Sequence, residues 1–163
     1  MLFRSYAADN GAKIINLSLG SNEPSKTIED AVHYAYEKGV LITAASGNDG
    51  GSVDYPAAFQ EVMAVGAIDS TGTKATFSSY GDQLDLVAPG VDIVGCDAAG
   101  NLSYHNGTSF AAPYAAGSAA LIWSLNPELT NDQVQWILES SATDLGTAGW
   151  DDKYGYGALA DVS

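Results

Sequence analysis

Apolar and polar positions divide the chain into buried strands alternating with helices. Residues 13–20 begin with an apolar run and then alternate, which predicts a largely buried strand. Residues 27–38 place apolar side chains at helical spacing, with acidic residues in the first turn and a glycine after the end. Three further apolar runs predict strands over residues 40–45, 61–68 and 84–88.

The last third of the chain predicts two helices. Residues 108–125 are rich in Ala, Gly and Ser, so this helix can approach its neighbours closely. Pro113 lies near its start, where a missing N–H is expected to cost little. Thr130 and Gln133 have the spacing of a capping box at the start of the second helix.

Strands that are apolar along their length, separated by helices, indicate an α/β fold with a parallel sheet flanked by helices. Residues 91–96 and 102–105 predict an additional hairpin across the turn DAAGN. The 163 residues contain no internal repeat and no linker, which indicates a single domain.

The amino-acid composition argues against some classes of binding partner. Six basic and twenty acidic residues give a net charge of −14, which argues against nucleic acid and against an anionic membrane surface. The simplest interpretation of this acidity is a well-solvated surface. Adaptation to high salt or binding of cations is the alternative interpretation. The single cysteine, Cys96, excludes an internal disulfide and a multi-cysteine zinc site, and we expect it to be buried.

The segment NGTSFAAP, residues 106–113, carries the strongest chemical signal. It places Ser109 at the entrance of the helix of small residues, where the helix dipole and a free backbone N–H favour a nucleophile. Taken alone, GTS also fits a simple helix cap.

The whole string resembles the nucleophile motif of subtilisin-like serine peptidases. The resemblance continues in chain order over nearly all of residues 1–163, identified here as the C-terminal half of that catalytic domain, with its N-terminal part missing. It implies a subtilisin-like three-layer fold. The matching segments are IINLSLG at 14–20, AASGNDG at 44–50, YPA at 55–57, VMAVGA at 62–67, FSSYG at 77–81, APG at 88–90 and KYGYG at 153–157.

By this resemblance, Ser109 is the acyl-forming nucleophile and Asn48 donates its side-chain amide to the oxyanion. Without the neighbouring motifs, Asn48 would be interpreted as part of an Asn-Asp-Gly turn. The implied partner is a peptide or protein substrate, and the implied location is extracellular.

The resemblance also implies the residues that contact substrate. Main-chain groups of Ser18, Leu19 and Gly20 would pair with an extended peptide. Ala45, Ser46 and Gly47 would form one wall of the pocket for the side chain preceding the scissile bond. Asp54 would lie at the base of that pocket and favour Lys or Arg there, although an aspartate in a glycine-rich loop is often a turn former.

The base and its orienting aspartate are not found in this sequence. In subtilisin the order is Asp, His, Ser, and this sequence has no Asp-Thr-Gly or Asp-Ser-Gly strand end and no His-Gly-Thr-His segment. His33 falls within a predicted helix and His105 on a predicted strand, so neither is expected to act as the base. We therefore expect the isolated chain to be inactive, with the missing N-terminal half of its own domain as a partner.

No cofactor is required by this chemistry. The resemblance implies a structural calcium or monovalent cation on backbone carbonyls of Ala57, Phe59 and Val62. The alternative to an enzyme is a non-catalytic remnant or peptide-binding module of the same fold that retains residues 18–20.

Overall fold

The computed structural model describes residues 2–160, with side chains from residue 5 onward. The predicted single partial domain also includes positions 1 and 161–163, which lie outside the described residues. The helices are α1 Leu2–Asp9, α2 Lys26–Glu37, α3 Thr108–Leu125 and α4 Asn131–Ser140. The strands are β1 Ile14–Leu17, β2 Leu41–Ala45, β3 Met63–Ile68, β4 Leu86–Pro89, β5 Ile93–Cys96 and β6 Leu102–His105.

The main sheet is parallel and runs in the order β1-β2-β3-β4, whereas β5 and β6 form a separate antiparallel hairpin. Helices cover both faces, because neighbouring strand residues point to opposite sides. Ile42 packs in a cluster with Val32 of α2, and Leu41 packs in a second cluster with Ala115 of α3. The predicted three-layer α/β architecture is therefore confirmed.

This topology brings several loops to one edge. Parallel strands all end at the same edge of a sheet, and ligands of open α/β sheets bind there. Residues 18–20 directly follow β1, residues 46–48 directly follow β2, and α3 packs along the same strands. The candidate catalytic segments consequently meet at one place. No helix within residues 2–160 has the length and apolar character needed to cross a membrane.

The expectation that Cys96 is buried is wrong, since its thiol is exposed. Residues of the hairpin alternate between inward and outward positions, and Cys96 points outward with its cross-strand partner Leu102. The side chains on the outward face of this hairpin are exposed. The apolar character of a residue on that face therefore does not predict that it is buried.

The position of Pro113 in α3 also differs from the expectation that its missing N–H costs little. It is the sixth residue of α3 and lies beyond the first turn, whose N–H groups have no intrahelical acceptor in any case. Its missing N–H removes the donor that would otherwise bond to the carbonyl of Ser109, four residues earlier.

Helices α2 and α4 are joined at the end of the sheet opposite the candidate site. The predicted capping box of Thr130 and Gln133 is present. Directly after it, Asn131 Nδ2 donates to the carbonyl of Tyr36 at 3.2 Å, and Tyr36 Oη donates to Asp132 Oδ1 at 2.6 Å. This hydrogen bond, and to a smaller extent burial, raise the pKa of Tyr36 to about 12.

The Tyr36–Asp132 contact predicts a specific loss of stability in alkali. A phenol pKa raised above its ordinary 10 stabilises the fold fully below pH 10, and this contribution is lost as the pH rises to about 12. We expect Tyr36→Phe to lower the free energy of unfolding by about 1 kcal/mol near neutral pH and to weaken its decline above pH 10. Urea unfolding across this range measures both effects.

The matched control is Tyr156→Phe, because the Tyr156 hydroxyl has no hydrogen-bond partner among the described residues. Its profile should follow that of the parent protein. Superimposable pH profiles for Tyr36→Phe and the parent would show that the contact contributes nothing.

Candidate active site

Ser109 is the second residue of α3 and lies half-buried at the edge where the strands end. Gly107, with φ +153°, caps the helix and brings the chain from β6 into it. Neither the hydroxyl nor the backbone N–H of Ser109 has a hydrogen-bond partner within the described residues. Both groups are therefore free to act on a ligand at the helix N-terminus.

Asn48 is fixed in one orientation by Thr108, the residue before Ser109. Asn48 Oδ1 accepts a hydrogen bond from the Thr108 N–H at 2.9 Å and another from Thr108 Oγ1 at 3.0 Å. The Thr108 hydroxyl also lies 3.3 Å from the backbone N and O of Gly47, and Thr108 is fully buried. A backbone N–H requires an acceptor, so the amide oxygen must face Thr108 and the amide nitrogen must face away.

The result is a pair of free donors beside a free hydroxyl. Asn48 Nδ2 has no partner in the described part of the chain, and Asn48 itself is exposed. Together with the Ser109 N–H, it can donate to a negative oxygen that forms when a nucleophile attacks a carbonyl. The structure thus brings Asn48 and the entrance of α3 together, as the sequence analysis required.

The predicted substrate edge begins where β1 stops pairing with β2. The parallel ladder ends at the pair Leu17–Ala44, and Ser18, Leu19 and Gly20 continue beyond it, exposed. The backbone groups of Leu19 and Gly20 have no hydrogen-bond partner among the described residues, which leaves them available to an extended peptide.

The opposite wall is formed by Ala45, Ser46 and Gly47, all buried. Ser46 Oγ donates to the carbonyl of Ser79 at 3.0 Å, and the Ser79 N–H donates to the carbonyl of Gly47 at 3.0 Å. These bonds tie the wall to the following loop.

Asp54 lies between these two segments. Its N–H donates to the carbonyl of Ser46 at 2.8 Å, while Tyr55 exchanges two backbone hydrogen bonds with Ser21. A Cβ built on Gly20 would lie 3.0 Å from Asp54 Oδ2, and one built on Gly47 would lie 2.6 Å from it. Glycine at both positions therefore makes room for the carboxylate between the walls.

The surroundings of Asp54 are acidic. Burial, and to a smaller extent the charge of Asp49, raise the pKa of the Asp54 carboxyl. Both aspartates also line a cleft of about 260 Å³ with Asn22, Gly51, Ser52 and Val53. The Asp54 carboxylate accepts no hydrogen bond from any described residue, so it is a carboxylate without a cationic partner.

Neither histidine is engaged with Ser109. His33 is exposed on α2 and its Nδ1 lies 3.1 Å from Glu61 Oε1. His105 stacks on Phe110 with ring centroids 5.2 Å apart, and its Nε2 lies 2.8 Å from Ser103 Oγ. Both rings have structural partners.

The proposed cation carbonyls lie near a second cleft, of about 370 Å³. Phe59 and Val62 line it, whereas Ala57 is fully buried and does not. Asp85 also lines it and accepts a hydrogen bond from the Ala64 N–H at 2.6 Å; burial raises the pKa of this carboxyl to about 7. Residues 5–160 contain no group of three or more His, Cys, Asp or Glu side chains able to hold a metal ion.

Sequence reasoning missed two residues that lie in these candidate sites. Thr108 was interpreted only as a possible cap, although a hydroxyl next to the nucleophile offers a second bond to an amide. Asp85 was included in an apolar strand, where a lone carboxylate between Leu84 and Leu86 is itself a signal of a special environment.

Sequence comparison places these features in a known context. The family model described as "Subtilase family" matches residues 4–157. The chain is 48% identical over 143 residues to Subtilisin Savinase of Lederbergia lenta, covering 87% of this chain and 53% of that protein. It is 42% identical over 159 residues to Subtilisin DY of Bacillus licheniformis, covering 94% of this chain and 57% of that protein.

Solved structures agree. The S41 Psychrophilic Protease superposes with a TM-score of 0.90 at 35% identity, covering 96% of this chain and 61% of that one, and Sphericase gives 0.89 at 33%. The chain spans 53% and 57% of the lengths of these two subtilisins and 61% of each of these two solved chains. Its sequence, its fold and the arrangement around Ser109 together show that this chain belongs to the subtilase family of serine peptidases.

Proposed function

We propose that this chain supplies the nucleophile, the oxyanion donors and the substrate edge of a serine endopeptidase. Ser109 is the nucleophile, and the general base comes from sequence that the longer relatives have in addition. The observation that carries the proposal is the double hydrogen bond from Thr108 to Asn48 Oδ1, because it turns the amide nitrogen outward beside Ser109.

The reaction follows from these positions. Ser109 Oγ attacks the carbonyl carbon of the scissile bond, and its proton passes to a histidine base. The carbonyl oxygen becomes negative and accepts hydrogen bonds from the Ser109 N–H and Asn48 Nδ2. Collapse expels the amine, which takes the proton from the base and leaves an acyl-enzyme at Ser109. Water then releases the acid by the same steps in reverse order.

The nucleophile and oxyanion roles are tested in the protein expressed from its complete reading frame. We expect Ser109→Ala to abolish peptidase activity. We expect Asn48→Ala to lower kcat with little change in KM, because the donor acts on the transition state; in subtilisin the loss for the corresponding donor is about 10²–10³-fold. Asp82→Ala, at an exposed residue outside the site, is the control for both variants.

The isolated 163-residue chain is expected to leave Ser109 unlabelled by a fluorophosphonate probe, since loss of the histidine alone costs subtilisin about 10⁶ in kcat. A complete reading frame that encodes no Asp-Thr-Gly or Asp-Ser-Gly and no His-Gly-Thr-His segment, together with the absence of Ser109-dependent peptidase activity, would replace the peptidase proposal by the peptide-binding module. The extracellular location is proposed on the family resemblance, and the partner is an extended peptide along residues 18–20.

A preference for Lys or Arg before the scissile bond follows from Asp54. The carboxylate lies between the two walls without a cationic partner, and Asp49 adds a second negative charge nearby. A cationic side chain between residues 18–20 and 45–47 would neutralise this half-buried charge and gain a charge-assisted hydrogen bond.

Replacement of the Asp54 carboxylate should change the substrate specificity. We expect Asp54→Asn to lower kcat/KM for a Lys substrate about tenfold or more, and to leave that for an otherwise identical Phe substrate within about twofold. The preference of the parent enzyme should also weaken as the pH falls through the raised pKa of Asp54. A Phe or Leu preference unaffected by Asp54→Asn would refute this role.

We also propose that the cleft between residues 58–62 and Asp85 binds calcium or a monovalent cation weakly. Carbonyl oxygens and a carboxylate are the hard ligands that such cations prefer. Phe59 and Val62 would offer carbonyls, although the Phe59 carbonyl already accepts a hydrogen bond from the Val62 N–H at 3.0 Å. Asp85 would supply the charged ligand, and its second oxygen has no partner among the described residues.

Cation binding in this cleft should make the thermal stability of the protein depend on the cation concentration. Adding calcium or potassium to chelator-treated protein should raise the thermal midpoint, with about 1 kcal/mol gained when the free cation is about five times its Kd. Asp85→Asn should lose most of this gain, whereas Asp82→Asn, at an exposed residue of the same loop, should retain it. Equal shifts in the Asp85 variant and the parent would exclude Asp85 as a ligand.

A further inference from the structure

We infer that the side chain of Ser18 is a positioning group for the nucleophile, because it replaces a helical hydrogen bond that Pro113 removes. In an α-helix the carbonyl of residue 109 bonds to the N–H of residue 113. Residue 113 is proline and has no N–H, although it lies inside α3. Ser18 Oγ donates to the Ser109 carbonyl at 2.7 Å instead.

The donor is itself held by a chain of hydrogen bonds that begins inside the sheet. Thr43, fully buried in β2, donates its hydroxyl to Asn16 Oδ1 at 3.1 Å. Asn16 Nδ2 in turn donates to Ser18 Oγ at 3.0 Å. Because all three bonds run in the same direction, each strengthens the next, and the Ser18 hydroxyl has its proton directed at Ser109.

This arrangement separates two roles of Ser18. Its main chain belongs to the proposed substrate edge, whereas its side chain fixes the carbonyl of the residue that carries the nucleophile. Loss of the hydroxyl should therefore loosen the first turn of α3 without removing main-chain groups that bind a peptide. The kinetic consequence of this inference rests on the proposed peptidase function, but the hydrogen bond itself does not.

The structural test uses an isotope label that is unique in this chain. Ser109–Phe110 is its only Ser–Phe peptide, so ¹³C-carbonyl serine combined with ¹⁵N-phenylalanine gives a single correlation signal from the Ser109 carbonyl. In the protein expressed from its complete reading frame, where this signal is identified by its loss in Ser109→Ala, Ser18→Ala should move the resonance in the direction of a weaker hydrogen bond. Ser18→Thr, which keeps the hydroxyl, should move it less.

Pro113→Ala provides the decisive background, since it restores an N–H four residues after Ser109. In this background Ser18→Ala should change the carbonyl resonance little. Ser124→Ala is the matched control, because Ser124 Oγ also donates to a carbonyl of α3, that of Leu121, at 2.7 Å. It should leave the Ser109 signal unchanged.

Kinetics give the second measurement. Ser18→Ala should lower kcat about tenfold and change KM less than about twofold, and in the Pro113→Ala background it should lower kcat less than about threefold. Equal losses in both backgrounds, or an unchanged Ser109 carbonyl in Ser18→Ala, would overturn the inference. Absence of any Ser109-dependent activity would refute the peptidase proposal instead and leave the carbonyl measurement valid.

Discussion

The contact between Thr108 and Asn48 is the constraint on which the candidate active site depends. It joins the first residue of α3 to the loop that follows β2, and it does so with a side chain that is fully buried. Because both donors of Thr108 meet one amide oxygen, the amide cannot rotate without leaving a buried N–H unsatisfied, which costs about 1–3 kcal/mol. The orientation of the outward-facing nitrogen is thus maintained by the fold itself.

Two hydrogen-bonded connections therefore converge on one turn of helix. Thr108 is tied to the end of β2 and the Ser109 carbonyl is tied to the end of β1. Each connection crosses between a strand end and the helix, and each uses a polar group that the helix itself cannot satisfy. This explains how a helix with a proline in its second turn can present a serine in a defined position.

Much of the architecture could be predicted from the sequence. The buried runs predicted all four strands of the main sheet, and the stretch rich in Ala, Gly and Ser predicted the helix over residues 108–125. Periodicity is informative there because burial on both faces, or close packing of small residues, constrains every position. It fails at Cys96, since one face of an exposed hairpin is not constrained by packing.

The contacts that complete the site were harder to predict. Nothing in the sequence pairs Ser18 with Ser109, because the two are 91 positions apart and the hydrogen bond depends on how β1 and α3 pack. Asp85 was missed for the same reason: its hydrogen bond from the Ala64 N–H joins residues that are 21 positions apart. The motifs identified the residues that are candidates for the chemistry. The hydrogen-bond partners of those residues could be found only from the three-dimensional structure.

The outer side of β1 has a separate consequence. No described strand pairs with it, and Ile14 and Ile15 are only partly buried while β2 and β3 are buried throughout. An open row of backbone donors and acceptors with apolar neighbours is a template for intermolecular strand addition. Preparations of these 163 residues by themselves therefore carry an intrinsic tendency toward edge-to-edge aggregation, which a covering strand would remove.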